Sequence, residues 1–166
     1  PENEALLLAD YVIGTREKLS VVKKLDEILL NKEKGEILPL DNAPFEKMSI
    51  TKCKHAKAYV KIEDGCNNFC TYCFIPYVRG RVRSREMDDI ISEIKSLENN
   101  GYTEIILTGI ETASFGEDRG ERDALCALIE KIEENTAVTR IRLGSMYPSF
   151  FTKERCKRLS ECKSVM

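Results

Sequence analysis

The chain has one histidine among its 166 residues, and it has no apolar run near the roughly 18 residues that a membrane span needs. The charged-then-apolar amino terminus of a signal peptide is also missing. With His55 alone, general acid–base catalysis and a Ser-His triad have little material. Without a span or a signal, the expected location is the cytoplasm, with no membrane partner. The chain also lacks a strong charge of either sign. Lys and Arg number 26 against 28 Asp and Glu, a net −2, so any role with nucleic acid has to come from a local patch. There is no solenoid-type repeat and no low-complexity tract. A hydrophobic share of 42% with 33% charged residues describes an ordinary folded domain, long enough to bury a core.

Seven cysteines are present, and three of them, Cys66, Cys70 and Cys73, crowd into eight residues. An odd count without a secreted context argues against a disulfide scaffold and for reduced thiols.

Ala9 to Ile13 has the composition of a strand end. Arg16 to Leu30 carries Val21, Val22, Leu25, Ile28 and Leu29 at the spacing of one helix face. Lys32 to Ser49 is charged, holds Gly35, Pro39 and Pro44 and has no sustained period, as an interdomain connection would. The expected division is 1–31, the end of a preceding α/β domain; 32–52, a linker; and 53–166, the first part of a barrel domain.

From Ala56 the pattern becomes regular. Ala56, Ala58, Val60 and Ile62 alternate with Lys57, Tyr59 and Lys61, which predicts a half-buried strand leading into the cysteines. A helix is expected next, capped by Ser84, with Met87, Ile90, Ile91, Ile94 and Leu97 as its stripe and Asn99, Asn100 and Gly101 as its stop. Thr103 to Thr108 is a buried strand by composition, and Glu121 to Glu134 a helix. Val138 to Leu143 is a third strand, before a short helix capped by Thr152. This alternation is the signature of parallel βαβ units, with functional groups on the loops at the carboxyl ends of the strands. The predicted fold is therefore α/β, a partial parallel barrel. Three units cannot close one, so a truncated chain is expected.

Cys66, Cys70 and Cys73 form C-x3-C-x2-C at the end of the first of these strands. Three thiolates this close can converge on one iron–sulfur cube, leaving one iron without a protein ligand and open for chemistry. Two other readings stay open. Free cysteines are often simply buried, and zinc could be bound by Cys53 and His55 together with the Cys70/Cys73 pair.

These residues resemble the radical S-adenosylmethionine family, whose motif is C-x3-C-x-aromatic-C; the aromatic here is Tyr72. The resemblance implies a [4Fe-4S] cluster on Cys66, Cys70 and Cys73. It further implies S-adenosylmethionine on the open iron and reductive cleavage to a 5′-deoxyadenosyl radical. The segments Ile75–Arg85, Gly101–Ile110 and Arg140–Pro148 resemble the methylthiotransferase group within it. Leu107 to Ile110 with Ser114 to Gly116 is most similar to the branch that modifies N6-threonylcarbamoyladenosine at position 37 of tRNA, at C2. The isopentenyladenosine and ribosomal-protein branches are the alternatives, and Glu111 departs from the pattern. The resemblance also implies tRNA rather than DNA as partner, a flavodoxin-type or ferredoxin-type electron donor, and a second [4Fe-4S] cluster in a domain before Pro1. Tyr72, Gly109, Ser145 and Arg142 are the candidate cofactor contacts. A radical enzyme with another substrate, or a non-enzymatic zinc module for nucleic acid, are the competing functions.

Arg79, Arg81, Arg83 and Arg85 recur at every second residue. In an extended segment they would project to one side about 6.6 Å apart and could meet an RNA backbone. The alternative is a solvated edge held by Glu86, Asp88 and Asp89. Cys126, Cys156 and Cys162 are expected to be packing residues.

Overall fold

The computed structural model describes residues 13–14, 17–31, 45–46, 48–49 and 57–166. The predicted strand end at 9–13 falls largely outside these residues, as do most of the linker, Cys53 and His55. By internal packing the chain divides into two units, 1–48 and 49–166. In the first, a 3-10 turn (Lys18–Ser20) leads into helix α1 (Val21–Asn31), as the periodicity predicts. Its stripe is nevertheless exposed at Val22, Leu25 and Leu29.

In the second unit, strands β1 (Ala58–Lys61), β4 (Glu104–Thr108) and β5 (Arg140–Leu143) make a parallel sheet in the order β1-β4-β5. The register sets Ala58, Ile105 and Ile141 in one row and Tyr59, Ile106 and Arg142 in the next. Because side chains alternate across a sheet, these rows point to opposite faces. The first row is fully buried beneath helices α3 (Met87–Asn99) and α4 (Ala124–Asn135). Ile90, Ile94, Leu97, Leu125, Leu128, Ile129 and Ile132 fill that layer, each contributing about 1.5–3 kcal/mol by burial. The second row leaves Tyr59 and Arg142 exposed, so one face of the sheet is open. Thus β4, expected to be buried throughout, is buried on one side only: Ile105 and Leu107 are inaccessible, Ile106 half-buried. No helix among the described residues is long and apolar enough to cross a membrane.

Between β1 and α3 the chain adds two-residue strands β2 (Glu63–Asp64) and β3 (Arg83–Ser84), paired antiparallel, and the short helix α2 (Ile75–Arg79). This ladder corrects two expectations. Ser84 does not cap α3, whose N-cap is Glu86; Ser84 Oγ instead accepts from the Gly116 backbone N–H at 2.7 Å. The arginines do not form one extended row either. Arg79 ends α2, Arg81 lies in the turn after it, Arg83 sits in β3, and Arg85 is buried against Glu93. Arg79 and Arg83 meet Asp64, and Arg85 meets Glu93 and the Asp89 carbonyl. Helix α5 (Lys153–Glu161) starts where predicted, with Thr152 Oγ1 accepting from the Arg155 N–H at 3.3 Å.

Candidate cofactor site

The cysteine loop leaves the carboxyl end of β1 through a turn that only glycine can make. Gly65 has φ +87°, and a Cβ there would fall 2.0 Å from the Arg81 carbonyl oxygen. The close approach lets the Cys66 N–H donate to the Gly80 carbonyl at 3.1 Å, while the Val82 N–H donates to Asn67 Oδ1 at 3.2 Å. Asp64 anchors the base of the loop. Its carboxylate accepts from the Gly65 N–H at 2.9 Å and meets Lys61 at 2.8 Å, Arg79 at 3.6 Å and Arg83 at 3.7 Å. Burial pushes this carboxyl up, but the Lys61 hydrogen bond and the charges of Lys61 and Arg79 outweigh it and hold it below the usual range.

All three loop cysteines are free thiols, Cys66 buried and Cys70 and Cys73 half-buried. The loops after β4 and β5 reach them. The Tyr147 hydroxyl lies 3.0 Å from Cys70 Sγ, and this sulfur pushes the phenol up to about 12. The Tyr147 N–H donates to Glu111 Oε1 at 2.9 Å, and the Thr112 N–H to the Ser145 carbonyl at 3.0 Å. Beside this junction is a cavity of about 150 Å³ whose lining includes Asn68, Glu111, Ser114, Glu117, Tyr147 and Arg155.

Glu63 lies beneath the β4 loop and is completely buried. Its Oε1 accepts from the Glu111 N–H at 2.8 Å, and Oε2 has no hydrogen-bond partner among the described residues. A Cβ on Gly109 would fall 1.9 Å from Glu63 Oε1, so the room at Gly109 is taken by the protein's own carboxyl. Burial pushes the Glu63 carboxyl up to about 8, against the backbone hydrogen bond from Glu111. The unfolded group titrates near 4.5, so between that value and about 8 the folded form keeps a proton that the unfolded form has released. Stability from this group therefore falls as pH rises through that window. Glu63→Gln keeps the accepting oxygen and removes the proton, so its urea midpoint should lose less than the wild type's between about pH 5 and about pH 8. An identical loss in both proteins would contradict the assignment.

The predicted contacts are distributed unevenly. Gly109 and Ser145 stand on the loops after β4 and β5, at the same sheet end as the cysteines. Tyr72 is 90% exposed. Arg142 is on the open face, 3.5 Å from Glu104, with Arg140 3.8 Å from the same carboxylate. Cys126 and Cys162 are buried as expected, but Cys156 is exposed and is not a packing residue. Sequence reasoning missed Glu63 and Tyr147 as parts of the site, and met Glu111 only as a departure from a pattern.

Three free cysteines on one loop are the donor set of a cube, which takes each thiolate at a different iron. The zinc reading needs Cys53 and His55, which lie outside the described residues.

Residues 60–166 match the family model of the Radical SAM superfamily. The chain belongs to this superfamily. A [4Fe-4S] cluster and S-adenosylmethionine are the cofactors that the radical SAM domain implies. It is 35% identical over 162 residues to a tRNA-2-methylthio-N(6)-dimethylallyladenosine synthase of Clostridium botulinum (strain Okra / Type B1), covering 94% of this chain and 35% of the relative. A synthase of the same name from Clostridium perfringens (strain SM101 / Type A) is 39% identical over 157 residues, with the same coverage. A third, from Acetivibrio thermocellus, is 36% identical over 130 residues, 78% of this chain and 27% of the relative. The radical SAM chain thus spans about a third of the length of these relatives. In fold it is similar to the radical S-adenosylmethionine methyltransferase TsrM from Kitasatospora setae, solved with cobalamin and a [4Fe-4S] cluster, at a TM-score of 0.50 and 22% identity. That match covers 65% of this chain and 21% of the other.

Proposed function

We propose that this radical SAM chain is part of a tRNA methylthiotransferase acting on N6-dimethylallyladenosine. The observation that carries the reading is the junction of three loops at one sheet end, where Cys70, on the loop that also carries Cys66 and Cys73, meets the Tyr147 hydroxyl and Glu111 holds the Tyr147 backbone. The names of the relatives favour the dimethylallyl (isopentenyl) substrate, the alternative above, over the threonylcarbamoyl substrate that the loop sequence most resembles. In this reading Cys66, Cys70 and Cys73 would hold the cluster. When bound, the cluster with S-adenosylmethionine supplies one-electron reductive cleavage to a carbon radical, the electron coming from a flavodoxin-type or ferredoxin-type protein.

The chain's own residues prepare that chemistry. Gly65 and Asp64 fix where the cysteine loop begins. Glu63 holds the loop at 109–111, and Glu111 in turn holds the backbone of Tyr147. Tyr147 places a hydroxyl on the Cys70 sulfur, where a phenol can donate to a thiolate. Tyr72 and Ser145 are proposed to face the S-adenosylmethionine, and Arg142 to face the same cofactor from the open side of the sheet, while the Glu63 carboxyl occupies the room at Gly109. Residues 1–31 would end a preceding domain that carries the second cluster, with 32–52 as linker and 53–166 as the first part of the barrel.

The test is mass analysis of tRNA nucleosides from cells lacking the intact protein and from cells in which it is restored. Restoration should return a 2-methylthio group to dimethylallyladenosine. A 2-methylthio group returning only to threonylcarbamoyladenosine would overturn the substrate, and no change in any tRNA nucleoside would overturn the function.

A further inference from the structure

Four of the chain's twelve aromatic residues, Phe69, Tyr72, Phe74 and Tyr77, fall within nine residues, and all four are exposed. Exposed rings usually occur singly; here they are organised. Phe69 meets Tyr77 edge-to-face with centroids 5.6 Å apart, Phe74 stacks on Tyr77 at 5.7 Å, and the Arg81 guanidinium lies 4.3 Å above the Phe69 ring. Phe69 holds this position with φ +45°, the only non-glycine residue at positive φ among those described. A bulky side chain rarely adopts that conformation without a constraint.

The charge of the segment is equally one-sided. The twenty-one residues from Gly65 to Arg85 contain four arginines and no acid, in a chain whose net charge is negative. Rings that present their faces beside guanidinium groups are what unpaired nucleic-acid bases recognise, by stacking on the ring while the phosphates meet the cation. Four arginines with no acid among them suit a polyanionic partner, and Val78 is the only exposed large aliphatic residue in the segment.

We propose that Phe69, Phe74, Tyr77 and Arg81 form a stacking platform for unpaired bases of an RNA loop beside the cysteine loop. The proposal rests on the tRNA reading above and adds where the loop docks. It keeps Arg81 from the predicted RNA contacts and assigns Arg79 and Arg83 to Asp64 instead.

The test measures binding of the intact protein to a fluorescent RNA hairpin with a seven-nucleotide loop, and to a duplex of the same composition, across a range of salt concentrations. Tyr77→Leu should weaken hairpin binding by roughly 10-fold, leave duplex binding alone and leave the salt dependence unchanged. Arg81→Gln should lower the salt slope by about 0.7, one phosphate contact on a single strand. Both side chains are exposed, and an unchanged visible cluster absorption in each variant checks that the loop is intact. If the wild type binds the hairpin and both variants bind it equally well, the platform is wrong while the tRNA reading stands. If the wild type binds no RNA, both fail.

Discussion

Cys70→Ala should lose iron and the ability to form 5′-deoxyadenosine, by roughly 100-fold or more, whereas Cys126→Ala should keep both. The two differ in setting, not in chemistry. Cys70 is half-buried on the loop after β1 with a phenol 3.0 Å from its sulfur. Cys126 is completely buried in α4 among Leu125, Leu128 and Ile129, and burial pushes its thiol up, away from the thiolate that binds metal. Removing Cys126 trims a small core group and costs about 1 kcal/mol of stability. Iron analysis and an assay for the cleavage product on anaerobically reconstituted proteins decide the matter. Equal activity in the two variants contradicts the assignment.

The second large effect is expected from Gly65→Ala. The added methyl group would lie 2.0 Å from the Arg81 oxygen, 2.6 Å from its carbonyl carbon and 2.8 Å from the Gly80 oxygen, in a backbone conformation unfavourable to alanine. Those atoms are main chain and cannot rotate aside, so the strain adds to the positive-φ cost and amounts to about 3 kcal/mol. Gly101→Ala is the control: its φ is +88°, but nothing lies within 4 Å of the new atom, so the loss should be about 1 kcal/mol. Urea unfolding of both variants makes the comparison, and iron retention should fall in Gly65→Ala alone. Equal midpoints would mean that the cysteine loop does not depend on this close approach.

The framework was legible because its signals are periodic. Ala58 and Val60 alternate along β1 and Ile62 continues the alternation just past it, Ile90, Ile94 and Leu97 line one side of α3, and Thr152 caps α5 through a local bond. The cysteines were legible by spacing alone. What stayed hidden depends on contacts distant in sequence. Glu63 follows an amphipathic strand and has the look of a solvated carboxylate, yet β2 turns it under the loop at 109–111, 48 residues away. Tyr147 has no signal until β5 brings it to Cys70, 77 residues earlier. Ser84 has the residue type of a cap, but in the two-residue ladder opposite Glu63 its N–H donates to Asp118 Oδ2 and its hydroxyl accepts from Gly116, and a ladder that short leaves no period to detect. The arginines alternate as a strand would, while Pro76 and Gly80 break the segment into a helix and a turn.

The central claim is a cluster held by three cysteines with one iron left open. Electron paramagnetic resonance of the reduced, reconstituted protein tests it most directly, recorded before and after addition of S-adenosylmethionine. The account predicts a four-iron signal that changes when S-adenosylmethionine is added. A protein that retains no iron, or a cluster signal indifferent to S-adenosylmethionine, would contradict it.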